Sequence, residues 1–352
     1  MRQHSPTRND AWVRLLGKAI LAAALSAAGC SLPGQSRLRE SIQTIKEPEL
    51  GGEYLLYRPS LYDSAQDWPV FVVCAGGVSD SPRKQMSAWA PVGESKGVLV
   101  IAPRLESTGW SLRRNADRQR ELLRADEERI LAAVRNVQAG QHVSEDRIFI
   151  YGWGGGAPAA LHTGLRHPEV FRAVAVAQPA YDEAALAGAA ACLDPYQPVF
   201  VHYRATDVLY GKDGQRCADW LTDRSPVVTT DSFGPLQWDK CDGVVDFFEE
   251  VLRTRPLVRI GVSTPDPADP QTVQFKVRCS HEPRRFRWEF GDGSTSPVAE
   301  PRYRYSSAGT YVVRVTVDGP RGQTLHRAVE LTIPGLLVRP LFVDEKSSQP
   351  GG

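Results

Sequence analysis

The sequence has almost no net charge, no long apolar run beyond its first thirty residues, no C-x-x-C pair and few histidines. With 42 Lys+Arg against 41 Asp+Glu the formal charge is +1, so it lacks the basic field that phosphate backbones require. That argues against a dedicated nucleic-acid binder. No later stretch approaches the roughly 18 apolar residues of a membrane-spanning helix, which excludes a polytopic membrane protein. The seven histidines (His4, His142, His162, His167, His202, His281 and His326) show no metal-ligand spacing with Asp or Glu, so no metal or other cofactor is expected. The rest is ordinary: 352 residues, 42% hydrophobic and 24% charged, enough for about two domains with real cores.

Arg2, Arg8, Arg14 and Lys18 precede a short apolar run, Ala19 to Ala28, that ends in Gly29-Cys30. Basic flank, apolar middle and small-residue end predict an export signal over residues 1–29. An amphipathic N-terminal helix is the rival reading. Leu25-Ser26-Ala27-Ala28-Gly29-Cys30 resembles the lipobox of bacterial lipoproteins, with Ala27 where Leu is usual. That resemblance implies cleavage before Cys30, lipidation of its thiol, and a chain anchored to a membrane of the bacterial envelope, periplasmic or surface-facing. Of six cysteines, Cys74, Cys192, Cys217, Cys241 and Cys279 then remain, an odd number for an oxidising compartment. Cys217 and Cys241 share a loop-rich region and are the expected pair, while Cys74, in an apolar run, reads as a small buried hydrophobe.

Residues 30–50 are polar and read as a linker. From Gly51 to Arg255, short β-branched runs (Trp68 to Cys74, Gly97 to Ala102, Arg147 to Gly152, Val170 to Ala177, Pro198 to His202) alternate with helix-patterned segments at Arg118 to Gln138, Ala157 to Arg166 and Gly243 to Arg253. This predicts an α/β domain with a mostly parallel sheet and flanking helices. The proline-rich stretch 256–271 reads as a linker. Residues 272–334 change grammar to short alternating strands between Gly, Asp, Ser and Pro turns, predicting a small antiparallel β-sandwich. Residues 335–352 read as a tail.

The strand Arg147 to Tyr151 runs into Gly152-Trp153-Gly154-Gly155-Gly156-Ala157 and then a helix. With the strands and helix upstream, this resembles the α/β-hydrolase superfamily, in particular its secreted esterase and polyester-depolymerase branch, over about Gly51 to Leu252. In that family the turn reads G-x-S-x-G and its central serine is the nucleophile. Gly152 and Gly156 keep the outer glycines, but Gly154 stands at the serine position and has no atom with which to attack a carbonyl. The resemblance puts the triad acid at Asp207, after the strand Pro198 to His202, and the base between about Ser225 and Asp242, where no histidine occurs. Nucleophile and base are both missing, and Ser-His-Asp chemistry needs each. The oxyanion turn corresponds to Ala75-Gly76-Gly77, so Gly76, Gly77 and Gly155 read equally as backbone amides lining a retained pocket or as glycines that merely permit tight loops. Asp207 reads equally as a relic acid or a loop-capping carboxylate, and His202 as a hydrogen-bonded core histidine.

The same turn also satisfies G-x-G-x-x-G/A, the dinucleotide fingerprint. In that fold it follows the first strand, whereas here strands and a long helix precede it. The surviving enzyme reading is a hydrolase of carbohydrate or polyester esters with a displaced nucleophile such as Ser79 or Ser107.

Trp288-Glu289-Phe290-Gly291-Asp292-Gly293, followed by Tyr303 and by Tyr305-Ser306-Ser307-Ala308-Gly309-Thr310-Tyr311, closely resembles the PKD domain, whose marks are a W-x-F-G-D-G hairpin and a Y-x-x-x-G-x-Y strand entry. Trp288 and Tyr311 are the expected core fillers. Arg284, Arg285, Arg287, Arg302 and Arg304 form either a binding strip or a solvated face. The whole reads as an exported, lipid-anchored envelope protein whose degenerate esterase-like domain holds a saccharide, ester or peptide ligand, with the PKD domain a spacer or a contact for envelope proteins.

Overall fold

The computed structural model describes residues 41–76, 81–108, 116–225, 227–232, 242–319 and 324–341. The export signal and Cys30, Gly77, Ser79 and Cys241 lie outside the described residues.

The first sheet comprises β1 (Ile42–Lys46), β2 (Glu53–Tyr57), β3 (Trp68–Cys74), β4 (Leu99–Pro103), β5 (Val143–Trp153), β6 (Ala173–Ala177), β7 (Val199–His202) and β8 (Val228–Asp231). Its strand order is β1-β2-β4-β3-β5-β6-β7-β8. The pairs from β4 to β8 are parallel, and β1 and β2 close one edge in antiparallel pairing. Among the described residues five helices fill the crossovers, α1 (Pro82–Lys96), α2 (Ala116–Gly140), α3 (Ala157–Arg166), α4 (Glu183–Ala190) and α5 (Gly211–Thr222), and α6 (Asp242–Thr254) follows β8. Strand β3 shows why both faces are dry. Its alternate residues Val70, Val72 and Cys74 pack with residues of α2, α3 and α5, whereas Phe71 and Val73 pack with α1 and α6. A strand sandwiched in this way must be apolar at every position, as WPVFVVC is.

Helix α1 has sound ends. Ser81 Oγ accepts from the Lys84 amide at 3.2 Å, Pro82 opens the first turn, and Gly97 closes the last at φ 65°. Helix α5 occupies the region expected to be loop. Its Cys217 is a free thiol facing the core with its titration pushed up to about 12 by burial, so the expected pairing with Cys241 is not made. Cys74 is buried and free, as expected of a small hydrophobe.

The second unit is a sandwich. One sheet holds β9 (Val258–Ser263), β10 (Thr272–Cys279) and β13 (Arg302–Arg304), and the other β11 (Arg285–Glu289), β12 (Thr295–Ser296), β14 (Gly309–Asp318), β15 (Thr324–Ile333) and β16 (Leu337–Leu341). Three stretches expected to be linker or tail therefore contain strands. β1 falls within 30–50, β9 within 256–271, where it pairs antiparallel with β10, and β16 beyond 335, where it pairs with β15. The hairpin turn uses positive φ at Gly291 (87°) and Gly293 (93°). Trp288 fills the core as expected. The tyrosine fully buried with it is Tyr305; Tyr311 stacks on the Tyr305 ring at 4.2 Å and donates its hydroxyl to the Ser307 carbonyl at 2.9 Å, at the rim. Arg285 and Arg287 are exposed on the five-stranded sheet, and Arg302 and Arg304 on the three-stranded one, so these arginines do not form one strip.

Candidate functional site

Strand β5 ends at Trp153 and the chain makes a single tight turn, Gly154–Gly156, before α3 begins at Ala157. Gly154 takes φ +52°, the left-handed region that side-chain-bearing residues enter only at a cost. This is a strand-turn-helix elbow with a glycine at its centre. The neighbouring glycines serve close approach instead. A Cβ at Gly156 would lie 2.2 Å from the Cys74 carbonyl oxygen, and one at Gly76 would lie 1.7 Å from the Gly156 amide nitrogen. The end of β3 is thus pressed backbone to backbone against the elbow, and Gly76 is a packing glycine as well as a neighbour of Gly155. Gly152 is of the same kind, with the α3 backbone at Ala157 closing over it.

The space above Gly154 belongs to Tyr210. Its hydroxyl stands 3.7 Å from where a Gly154 Cβ would be. Tyr210 is held there by the residue in the acid slot: Asp207 Oδ1 accepts from the amides of Leu209 at 2.9 Å and Tyr210 at 2.8 Å. Through these bonds Asp207 caps its own loop. Sequence reasoning missed Tyr210, because nothing local to it signals contact with a turn more than fifty residues earlier.

Two further polar groups line the same ends of the strands. Gln178 follows β6 at φ 46°, an outlier for a residue with a side chain, and is buried. Its side-chain carbonyl accepts from the Arg204 amide at 3.1 Å, and its own amide donates to the His202 carbonyl at 2.8 Å. His202, at the end of β7, is buried, but among the described residues its Nε2 has no hydrogen bond, and it lies 3.4 Å from Asp231 Oδ2 at the end of β8. It was expected to be a bonded core histidine. Burial lowers its titration and the Asp231 carboxylate opposes that shift, so the ring is neutral at pH 7.

Of the displaced nucleophiles, Ser107 is buried, its Oγ has no hydrogen-bond partner among the described residues, and its amide is fixed 2.7 Å from Asp126 Oδ2.

The PKD-domain profile matches residues 253–333. A 48-residue stretch is 40% identical to the collagenase ColA of Bacillus cereus, covering 14% of this chain and 5% of that protein. Among solved structures, a Bacteroides ovatus protein assigned to dipeptidyl aminopeptidase IV aligns at TM-score 0.47 and 15% identity over 59% of this chain and 35% of its own. The S-formylglutathione hydrolase of Staphylococcus aureus aligns at TM-score 0.43 and 13% identity over 60% of this chain and 97% of its own. The chain therefore spans only a small part of the collagenase and about a third of the peptidase. The α/β unit, with its elbow after β5 and its eight-stranded order, has an α/β-hydrolase-like fold, and the C-terminal sandwich is a PKD domain.

Proposed function

We propose that this α/β-hydrolase-like domain joined to a PKD domain works as a recognition module, exported and lipid-anchored through Cys30, and does no acyl-transfer chemistry. The observation that carries the reading is Gly154. An elbow with φ +52° at its centre has kept the hydrolase backbone, lost the nucleophile, and placed the Tyr210 hydroxyl over the gap. Asp207 supports it by spending its carboxylate on the Tyr210 turn. The cleft above the strand ends then holds an ester-like, saccharide or peptide ligand, and the PKD domain acts as a spacer or a second contact with envelope proteins.

The test is hydrolysis of a short chromogenic acyl ester by purified residues 31–352, beside Asp207→Ala. Sites stripped of triad members retain about 10³ to 10⁴-fold acceleration over water from positioning alone. A rate at or below that floor is expected, unchanged in the variant. Turnover far above it, lost in the variant, would restore the enzyme reading and direct attention to Ser79.

A further inference from the structure

Three arginines of the PKD domain, each on a different strand, reach the α/β domain at the strand ends opposite the elbow. Arg278, on β10, donates from Nε to Asp146 Oδ1 on β5 at 2.5 Å and from Nη1 to the Glu169 carbonyl at 3.2 Å. Arg259, on β9, donates from Nη2 to the carbonyl of Phe171, just before β6, at 3.0 Å, and its Nε lies 3.9 Å from Asp194 Oδ2. Arg327, on β15, lies over the ring of Tyr196, ahead of β7, at 3.7 Å. Strands β9 and β10 belong to one sheet of the sandwich and β15 to the other, so both sheets are held, and they are held against three successive strand entries.

These contacts are enclosed. The side chains of Arg259 and Asp194 are 13% and 12% exposed, so the pair is shielded from the water that makes surface ion pairs worth little. The space left among Arg172, Asp194, Arg259 and Arg327 is about 20 Å³, room for a single water. Domains in one chain often meet loosely and move against each other, but that default gives way when the meeting surface is closed and its charges are paired across it.

The chain between the domains has no slack either. Helix α6 ends at Thr254 and β9 begins at Val258. The Arg255 carbonyl accepts from Arg172 Nη2, which fixes it to the α/β domain. The Leu257 amide donates to Ser280 Oγ at 2.9 Å and its carbonyl accepts from the Ser280 amide at 3.1 Å, which fixes it to the sandwich. Between them stands Pro256, whose ring locks φ. A hinge needs backbone free to rotate, and here both neighbours of the proline are held.

We propose that this face of the α/β domain is a docking surface for the chain's own PKD domain, which it holds as one rigid body with the elbow pointing away from it. Arg172 stands level with Ile148, whose carbonyl accepts its amide at 2.7 Å, and Gly154 lies further along β5 by six residues, about 20 Å at about 3.3 Å per residue. A small ligand at the elbow therefore does not touch the sandwich, and no hinge brings the sandwich to it. Any contact the PKD domain makes is with a separate target, and the domain is not a swinging spacer. The elbow's having a ligand rests on the recognition reading above, whereas docking is read without ligand or turnover, so its failure leaves that reading standing. Scanning calorimetry of residues 31–352 should show one transition whose calorimetric and van't Hoff enthalpies agree. In Arg259→Gln/Arg278→Gln that transition should split, or fall as a whole, by about 5 °C or more. Two transitions in the wild type, or a variant that melts as the wild type does, would overturn the proposal. Should the variant fail to fold, digestion of the native wild type by a nonspecific protease decides. Resistance of residues 253–258 supports the docked body, and early cutting there into two stable fragments overturns it.

Discussion

Gly76→Ala is expected to lower the melting temperature of the α/β domain by about 6–12 °C, and Gly154→Ser by only about 2–4 °C. The two substitutions fail for different reasons. At Gly76 the new Cβ would sit 1.7 Å from the Gly156 nitrogen and 2.1 Å from the Gly155 carbonyl carbon. Both atoms are backbone of a tight turn, so neither can give way by a rotamer change. Overpacking usually costs about 1–3 kcal/mol, and a backbone collision belongs at or above the top of that range. At Gly154 the space is adequate, since the nearest atom is the Tyr210 hydroxyl at 3.7 Å. Only the left-handed backbone penalises serine, by about 1–2 kcal/mol, and part of that is recovered because the unfolded chain loses glycine's freedom. Thermal melts of the two variants check the ranking. A Gly154→Ser protein as stable as wild type would sink the strained-elbow assignment. On the proposed function the same variant carries a hydroxyl without a base, so its ester hydrolysis should stay at the floor set by positioning alone.

The parts legible in the sequence are those whose signal is local. The runs that became β3, β5, β6 and β7 are buried on both faces and so are apolar throughout, and α3 starts and stops where its pattern does. Helix α1 was not legible because its buried positions, Gln85, Met86, Trp89, Ala90 and Gly93, include a polar residue and a glycine, and Pro91 lies among them. Helix α5 was read as loop because Gly211 and Gly214 replace the apolar residues that would announce it. Gly214 is there because Tyr203 leaves no room, its Cβ standing 2.5 Å from where a Gly214 Cβ would be. Strand β9 was hidden by the prolines on either side, and its partner β10 lies beyond them. At the site, the glycine at the centre of the elbow, Gly154, was plain from spacing. Tyr210 over Gly154, the strained Gln178 and the unbonded His202 come from tertiary contacts that no local pattern carries.

Glu127→Gln is the second substitution expected to do large damage, at about 3 kcal/mol, because it breaks a buried ionic cluster from one side. Glu127 projects from α2 and is 7% exposed. Its carboxylate accepts from His162 Nε2 at 2.9 Å, Arg166 Nε at 3.0 Å and His167 Nε2 at 2.6 Å, and so fastens α2 to α3, the helix that carries the elbow. A glutamine amide offers one acceptor and turns N–H groups toward donors, leaving at least one of the three unpaired. Burial would raise Glu127, but hydrogen bonds from His162, His167 and Arg166 outweigh it and hold the carboxyl well below its ordinary 4.5. Burial likewise would lower His167, yet its bonds to Glu127 and Glu169 raise it from 6.5 to about 9. The signs follow from linkage. The His167 contribution is complete below its unfolded value of 6.5 and is lost as pH rises through about 9, whereas that of Glu127 is complete above 4.5 and is lost as pH falls toward its depressed value. Wild-type stability from this cluster should therefore be flat between pH 4.5 and 6.5 and fall on the alkaline side up to about 9. In Glu127→Gln, His167 keeps only Glu169 as a partner, so the alkaline fall should shrink and move to lower pH. Melting curves of both proteins across that range test this, and parallel curves would show that the cluster does not bind α3 to α2 electrostatically.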